Sequence, residues 1–227
     1  MNVKANIYWI LAALALAIFS RTFLVSIYKI PTISMAPTFW PGDFILTSQL
    51  AYGVKIPALE KTYFKSAPAR GDLVVFQFLQ SKAREKSGIF FIKRIVAVAG
   101  DEIEIQNSRV TINGSPCTYT KNAQNLSVTT FAVFEENCQG SQREVILSTS
   151  NGGGPLGTSS HLKVPDAEVF VLGDNRDTSD DSRDLGSVPV DQIRSKVSAI
   201  WLSYGSTQDF ISGSNTIRWN RILTKPR

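Results

Sequence analysis

Two residues far apart in the chain could supply a nucleophile and its base. A serine that attacks a carbonyl needs a neighbouring group to take its proton, and histidine is the usual partner. The only histidine among the 227 residues, His161, lies in a Gly/Ser/Thr-rich stretch that is typical of a loop. A lysine can replace histidine where burial lowers its pKa. Lys93 lies within the apolar run 88–98, and we therefore predict that it acts as a base.

Ser34 is the candidate nucleophile. Pro31 and Pro37 lie three residues to either side of it, and their fixed φ angles would hold the serine and its backbone amide in one pose. A fixed amide is what oxyanion stabilisation requires. A serine near prolines is otherwise typical of a plain turn, so Ser34 indicates chemistry only in combination with Lys93.

Lys93 lies in a segment of β-strand composition, Phe90–Val98. In an alternating strand it would share one face with Phe91 and Ile95. A lysine buried beside them is costly unless it is neutral or paired. The alternative is a lysine that faces solvent, but the cost of burial favours a functional role.

A dense polar segment, 173–183, follows the strand-like run Val169–Leu172 and contains four aspartates and two arginines. One interpretation is a calcium loop, but the carboxylate spacing and central glycine of an EF-hand are missing. A solvated loop is a second interpretation. Arginines among aspartates favour a third, in which internal ion pairs fix the loop against an active site.

The pattern beyond the N-terminal segment predicts an antiparallel, mostly β fold. Alternating residues at 102–105 and 109–112 flank Asn107-Ser108, which is typical of a β-hairpin. Further strand-like runs are 43–46, 72–76, 90–98, 169–172 and 197–201. We expect a catalytic β core from residues 29–112 and 164–227, with the polar segment 113–163 as a smaller β-rich lobe inserted at its periphery.

Cys117 and Cys138 lie among turn-forming residues of that predicted lobe. Neither has a second cysteine or a histidine at metal-ligand spacing, so we expect no metal site. We predict that the two cysteines form a disulfide, provided that the lobe lies outside the cytoplasm. Two unrelated free thiols are the alternative.

The N-terminal segment predicts one membrane anchor, residues 1–28. Its uncharged apolar run, Ile7–Phe19, reaches the length of a bilayer span when it is extended to Tyr28. A cleaved signal peptide is the alternative, but the Ala-x-Ala at 15–17 lies inside the apolar run. Basic residues on the two sides nearly balance, so charge does not give the orientation.

The formal net charge of +5 arises from 24 basic and 19 acidic residues. The basic residues are scattered and are not interleaved with aromatic ones, so we expect no nucleic-acid partner. The composition also excludes a disordered or collagen-like chain.

Four motifs occur in an order that resembles the bacterial type I signal peptidases, also called leader peptidases, which use a serine–lysine dyad. The similarity extends from the N-terminal segment to about Tyr204. The motifs are Ser34-Met35-x-Pro37-Thr38, Arg70-Gly71-Asp72-x-Val74-Val75-Phe76, Lys93-Arg94-x-Val96-Ala97-x-x-Gly100-Asp101 and Gly173-Asp174-Asn175-Arg176-Asp177-x-Ser179-x-Asp181-Ser182-Arg183.

The resemblance implies a membrane-bound serine endopeptidase that removes signal peptides from exported preproteins after Ala-x-Ala, without a cofactor or a metal. Ser34 would be the nucleophile and Lys93 the general base. The Ser34 amide and the Thr32 hydroxyl would form the oxyanion hole. Ser179 would form a hydrogen bond with Lys93 and orient it. The other supporting residues would be Asp181, paired with an arginine, Arg183 and Arg94, and the pockets for small substrate side chains would be lined by Ile30, Phe39 and Ile92.

The resemblance also implies a location and partners. The protein would cross the cytoplasmic membrane once, with its catalytic part on the outer side, and would meet the lipid bilayer, signal peptides and the secretion translocon. Its substrate would bind in extended form as an added strand.

Two departures from the family pattern leave alternatives open. Ile33 stands where glycine is common, and Thr178 stands where asparagine is common. Because Ile33 adjoins the nucleophile, a specialised relative that serves a conjugation or pilus system is one alternative. An inactive anchored protein that binds exported chains is another, although Ser34 and Lys93 are intact. An autocleaving serine–lysine repressor is a third, which the N-terminal apolar segment disfavours.

Overall fold

The computed structural model describes residues 7–14, 24–56, 61–63, 66–77, 89–122, 131–149, 160–205 and 216–226. Their strands, in chain order, are β1 (Val25–Lys29), β2 (Asp43–Ser48), β3 (Val54–Ile56), β4 (Lys61–Tyr63), β5 (Leu73–Gln77), β6 (Phe90–Val98), β7 (Glu102–Gln106), β8 (Arg109–Ile112), β9 (Ser115–Pro116), β10 (Thr118–Lys121), β11 (Phe131–Cys138), β12 (Ser141–Ser148), β13 (Ser160–Lys163), β14 (Glu168–Leu172), β15 (Val188–Pro189), β16 (Ile193–Gly205) and β17 (Thr216–Ile217). Helices are short: α1 covers 7–14 and α2 covers Ser182–Leu185.

The strands confirm the predicted antiparallel, mostly β fold. The largest sheet has eight strands in the order β1-β2-β16-β5-β6-β14-β15, with β17 paired to β16. The predicted runs 43–46, 72–76, 90–98, 169–172 and 197–201 correspond to β2, β5, β6, β14 and β16 of this sheet. β6 runs through its interior between β5 and β14, and its residues from 93 to 97 are all buried. An interior strand covered on both faces excludes water from its side chains, including charged ones.

The predicted hairpin is also present. β7 pairs with β8, and the residues between them, Asn107 and Ser108, have positive φ angles of 49° and 61°. The hairpin joins a second sheet, in the order β13-β7-β8-β9. By sheet membership it therefore lies with strands of the segment 113–163 and not with the eight-stranded sheet. A buried apolar cluster, with Ile103 and Ile112 on one side and Phe170 on the other, packs this sheet against β14.

A third sheet, β10-β11-β12, contains most of the remaining strands of the segment 113–163. β11 and β12 are eight residues each and pair along their whole length. A disulfide joins Cys117, just before β10, to Cys138 at the end of β11, and both residues are buried. The small sheet β3-β4 lies elsewhere in the chain.

The C-terminal part of the predicted anchor is wrong. Residues 25–28 lie in β1, which pairs antiparallel with β2 and places Ile27 opposite Leu46. The β-branched residues in this run and the open edge of β2 favour a strand over a longer helix. Residues 1–6 and 15–23 lie outside the described part of the chain. Within the described part, no helix has the length and apolarity needed to cross a membrane.

Replacing both cysteines by alanine should lower the free energy of unfolding by about 3 kcal/mol. The disulfide closes a loop with a sequence separation of 21 residues, and its removal releases the entropy of the unfolded chain. Denaturant unfolding of the oxidised wild type, the reduced wild type and the double variant measures this difference. Equal midpoints for all three would contradict a stabilising crosslink.

Candidate active site

Ser34 begins a tight turn, residues 34–38, in the connection between β1 and β2. The two residues that follow it, Met35 and Ala36, are buried. The Phe39 amide donates to the Met35 carbonyl at 2.8 Å, and the Ala36 amide donates to the Ile33 carbonyl at 2.9 Å. Apolar burial on one side and these hydrogen bonds on the other fix the backbone, so the half-buried Ser34 is held in a single pose.

Lys93 reaches Ser34 from the interior of the eight-stranded sheet. Its Nζ donates to Ser34 Oγ at 2.9 Å, and only 3% of the lysine surface is exposed. Burial lowers the pKa of Lys93 to about 8, although the nearby carboxylates of Asp181, Asp180 and Asp174 act to raise it. A pKa of 8 leaves roughly a tenth of the amine neutral at pH 7. A neutral amine at this distance is able to accept a proton from the Ser34 hydroxyl.

Two hydrogen-bond donors lie beside the nucleophile. Thr32 Oγ1 is 3.3 Å from Ser34 Oγ, and both are accessible to a substrate. Among the described residues, none accepts the backbone N–H of Ser34. A hydroxyl and an amide that are both available at one point can stabilise a negative oxygen there.

The polar loop 173–183 holds the nucleophile turn from the other side. The Asn175 amide donates to the carbonyl of Ser34 at 3.1 Å, and its side-chain Nδ2 donates to the carbonyl of Ile33 at 3.2 Å. The Ile33 carbonyl belongs to the same planar peptide unit as the Ser34 N–H, and the Ser34 carbonyl belongs to the next unit. Asn175 therefore holds both peptide units of Ser34, including its N–H.

Gly173 makes this close approach possible. A Cβ at position 173 would lie 2.1 Å from Ser179 Oγ and 2.6 Å from the carbonyl oxygen of Ser34. Both distances are far below van der Waals contact, and one of the atoms belongs to the backbone. The loop therefore needs a residue without a side chain at the point where it meets the nucleophile.

The predicted hydrogen bond from Ser179 to Lys93 is absent from this structure. Ser179 is buried against Gly173, and its Oγ has no hydrogen-bond partner among the described residues. Ser179 and Lys93 are both buried, but no hydrogen bond joins them.

The resemblance implied that Asp181 pairs with an arginine, and the structure identifies that arginine as Arg183. Arg183 Nε donates to Asp181 Oδ1 at 2.8 Å, and both side chains are almost completely buried. Asp181 Oδ2 also accepts the backbone N–H of Gly173 at 3.0 Å. The arginine further donates to the carbonyl of Arg176. These contacts tie both ends of the loop together.

Arg94, the residue after the base, pairs with Asp174. Its Nε and Nη2 donate to the two carboxylate oxygens at 2.8 and 2.7 Å, in a buried, two-point contact. Thr38 Oγ1 donates to the same carboxylate at 2.6 Å. One carboxylate thus connects the interior strand, the nucleophile turn and the polar loop.

The three predicted pocket residues lie in one apolar cluster below the nucleophile turn. Ile30 and Phe39 are buried, and Ile92 is half-buried against them. Met35, which follows the nucleophile, belongs to the same cluster. Ile33 does not belong to this cluster, and 38% of its surface is exposed.

The described residues contain one group of three side chains close enough to share a metal ion, Cys117, Glu136 and Cys138. Its two sulfurs are bonded to each other, so they are not available as thiolate ligands. Asp174 and Asp181 of the loop 173–183 pair with arginines, and Asp177 accepts from the Ser108 hydroxyl and the Ser148 amide. His161 is exposed on β13, in the second sheet.

Sequence reasoning missed three contributors to the site. Asp174, Asn175 and Gly173 lie in a motif that we singled out, but the sequence does not tell which of four aspartates would pair with Arg94. It also gives no sign that Asn175 reaches back to a turn more than a hundred residues earlier. The signal that could have found Gly173 is its place directly after a buried strand.

A family model and two relatives that this chain matches are all signal peptidases. Residues 3–202 match the family model described as "Signal peptidase, peptidase S26". The chain is similar to signal peptidase I of Pseudomonas fluorescens, with 32% identity over 197 residues that cover 81% of this chain and 67% of the relative. It is 30% identical to signal peptidase I of Haemophilus influenzae, over 84% of this chain and 67% of the relative.

Replacing Gly173 by alanine should destabilise the protein by about 3 kcal/mol, because the new methyl group meets Ser179 and a fixed carbonyl. Gly100 is the matched control, since a Cβ there meets nothing within 4 Å, although its φ is +86°. Gly100→Ala should cost about 1 kcal/mol of backbone strain. Equal losses for the two variants in denaturant unfolding would show that the contact at Gly173 is not tight.

Proposed function

The chain belongs to the peptidase S26 family of signal peptidases, and on that premise we propose that it is an endopeptidase that cleaves signal peptides from exported preproteins with a Ser34–Lys93 dyad. The observation that carries the proposal is the 2.9 Å contact between Ser34 Oγ and the Nζ of a buried lysine. Serine is a weak nucleophile by itself, and this contact gives it a base.

The proposed reaction begins when Ser34 Oγ attacks the carbonyl carbon of the scissile peptide while its proton passes to neutral Lys93. The oxygen of the tetrahedral intermediate is then negative, and the Ser34 amide and the Thr32 hydroxyl donate to it. Collapse of the intermediate breaks the C–N bond, and Lys93 returns the proton to the leaving amine. An acyl-enzyme remains on Ser34.

Deacylation repeats these steps with water. Lys93, neutral again, takes a proton from a water molecule that attacks the ester carbonyl. The same two donors stabilise the second intermediate, and Lys93 gives its proton to Ser34 Oγ as the signal peptide leaves. Asn175 and Asp174 hold the turn and the loop still throughout, so little reorganisation is needed at the moment of reaction.

We propose that substrates carry small residues at positions −1 and −3 of the cleavage site. The support is the apolar cluster of Ile30, Phe39 and Ile92, which packs densely below the nucleophile turn. A shallow apolar depression over a close-packed cluster accepts a methyl group and rejects a larger side chain. Ile33 adds an exposed branched side chain beside Ser34, which favours a narrower range of substrates than glycine would allow.

The proposed place of action is the outer face of the cytoplasmic membrane. The apolar sequence from residue 7 to the beginning of β1 at Val25 supports attachment to the bilayer, where the signal peptides of exported preproteins also lie. The disulfide between Cys117 and Cys138 supports an oxidising compartment outside the cytoplasm.

Cleavage of a preprotein that carries an Ala-x-Ala site, in detergent, tests the proposal. Wild type should cut after the second alanine, as mass spectrometry of the products would show. Ser34→Ala and Lys93→Ala should each lower kcat by about 10³-fold or more. His161→Ala is the control and should cut at the wild-type rate. Substantial cleavage by folded Lys93→Ala would rule out the dyad.

The pH dependence of kcat should report the lysine. Because only neutral Lys93 accepts the proton and its pKa is about 8, kcat should rise about tenfold per pH unit below pH 8 and level off above it. Reactions stopped at timed intervals, at a series of pH values between 5.5 and 10, measure this rise of kcat with pH. An inflection near pH 6.5, where histidine titrates, would contradict the assignment.

A further inference from the structure

The face of the polar loop that lies away from Ser34 contacts the second sheet and the third sheet, and the third sheet contains Cys138 of the disulfide. Arg176, in the middle of the loop, is completely buried and donates from Nη2 to Glu136 Oε2 at 2.6 Å. Its Nη1 donates to the carbonyl of Ser108 at 3.3 Å. Glu136 lies on β11 and Ser108 lies in the β7–β8 turn. The loop therefore has partners on strands that contribute nothing directly to the dyad.

Glu136 is a fully buried carboxylate that pairs with two arginines. It forms ion pairs with Arg143 and Arg176, and Tyr119 Oη donates to it at 2.6 Å. Burial acts to raise the pKa of Glu136, but Arg176 and Arg143 outweigh this and hold its pKa at about 2. Glu136 is therefore charged at every pH at which the enzyme is expected to work. Arg143 also contacts the sulfur of Cys138 at 3.4 Å.

Neighbouring contacts extend this attachment along the loop. Ser108 Oγ donates to Asp177 Oδ1 at 2.7 Å. The Ile146 amide, on β12, donates to the carbonyl of Asp174 at 2.9 Å, and the same residue forms an isolated bridge with Asn175. The segment 174–177 therefore has hydrogen-bond partners on the nucleophile turn on one side and on the second and third sheets on the other. The ion pair of Arg176 with Glu136 is the charged contact among them.

We infer that Glu136 is a positioning residue for the dyad: by holding Arg176 it fixes the loop whose other face sets the pose of Ser34 and the surroundings of Lys93. The inference rests on the proposed function. Glu136 touches neither Ser34 nor Lys93, and its influence passes through the backbone from residue 174 to residue 176. Nothing in the sequence marks Glu136, one of two adjacent acids in a polar strand, as part of the site.

If the loop loosens, the pKa of Lys93 should change. The charged groups that act on the amine are Asp181, Asp180 and Asp174, which raise its pKa, and Arg183, which lowers it, while burial is the largest influence and lowers it. All four charged residues lie on the loop. A loosened loop admits water to Lys93, so the dominant effect is a weaker desolvation and a pKa closer to that of free lysine. The acid limb of kcat then moves to higher pH.

The test compares Glu136→Gln with Glu135→Gln, its neighbour on β11. Glu135 is exposed and faces away from the buried pairs, so its variant controls for the loss of one charge on the same strand. We expect Glu136→Gln to lower kcat by about 100-fold, as misplacement of reacting groups does, with a smaller change in KM. The acid limb should move up by about one pH unit.

Hydrogen exchange of the amides in 173–183 gives a readout that does not depend on cleavage. The exchange should be faster in Glu136→Gln than in Glu135→Gln, while β2, β6 and β16 exchange alike in both. If wild type fails to cleave any preprotein, the proposed function fails, and the exchange comparison still decides whether Glu136 holds the loop.

Two results would overturn the inference. One is a folded Glu136→Gln variant whose amides in 173–183 exchange at the same rate as in Glu135→Gln and whose kcat has the same acid limb. The other is a loss of activity that is equal at all pH values with an unmoved limb, since that indicates a stability effect alone. If Glu136→Gln does not fold, Glu136→Asp decides, because it keeps the charge but shortens the reach. It should show smaller shifts in the same directions, and a wild-type profile from it would contradict the role.

Discussion

The rest of the structure depends on the burial of one amine. Lys93 can act as a base near neutral pH only if water is kept from it, and an unpaired charge in such a place is costly. The interior position of β6 in the eight-stranded sheet provides the dry surroundings. The loop 173–183 moderates the cost, because its aspartates act against the desolvation and keep the pKa of Lys93 at about 8 rather than lower. Desolvation lowers the pKa of Lys93 and the aspartates raise it, and the balance between them gives the amine a pKa suited to a base.

The same loop meets a second demand, which is precision at the nucleophile. It contacts the Ser34 turn through Asn175 and the interior strand through the pairing of Asp174 with Arg94. On its other face it rests on Glu136 and the β7–β8 turn. A loop with buried partners on both faces has few alternative conformations, although it contains little regular secondary structure. Its polar residues therefore stabilise one arrangement of the site, where a solvated loop would leave many.

Much of this architecture could be predicted from the sequence, for physical reasons that differ between elements. The hairpin at 102–112 followed from alternation around two turn residues, and β6 followed from its apolar run. An arginine partner for Asp181 was expected from the family resemblance, and the partner found, Arg183, is only two residues away. The partner of Arg94 was not, because pairing of buried charges is decided by tertiary packing. β1 was assigned to the membrane segment because apolar composition alone does not distinguish a short edge strand from the end of an apolar helix. The strands β11 and β12 were hidden by polar residues on their exposed faces.

The contacts that complete the site join distant parts of the chain. Ser34 and Lys93 are separated by 59 residues, Thr38 and Asp174 by 136, and Ile33 and Asn175 by 142. Such a high contact order implies slow folding, since large loops must close before these contacts can form. During synthesis the serine emerges long before residues 173–183 exist to fix it. A partly made chain therefore carries Ser34 and Lys93 without the loop that fixes them, and the proposed dyad is complete only after residues 173–183 have been translated and folded.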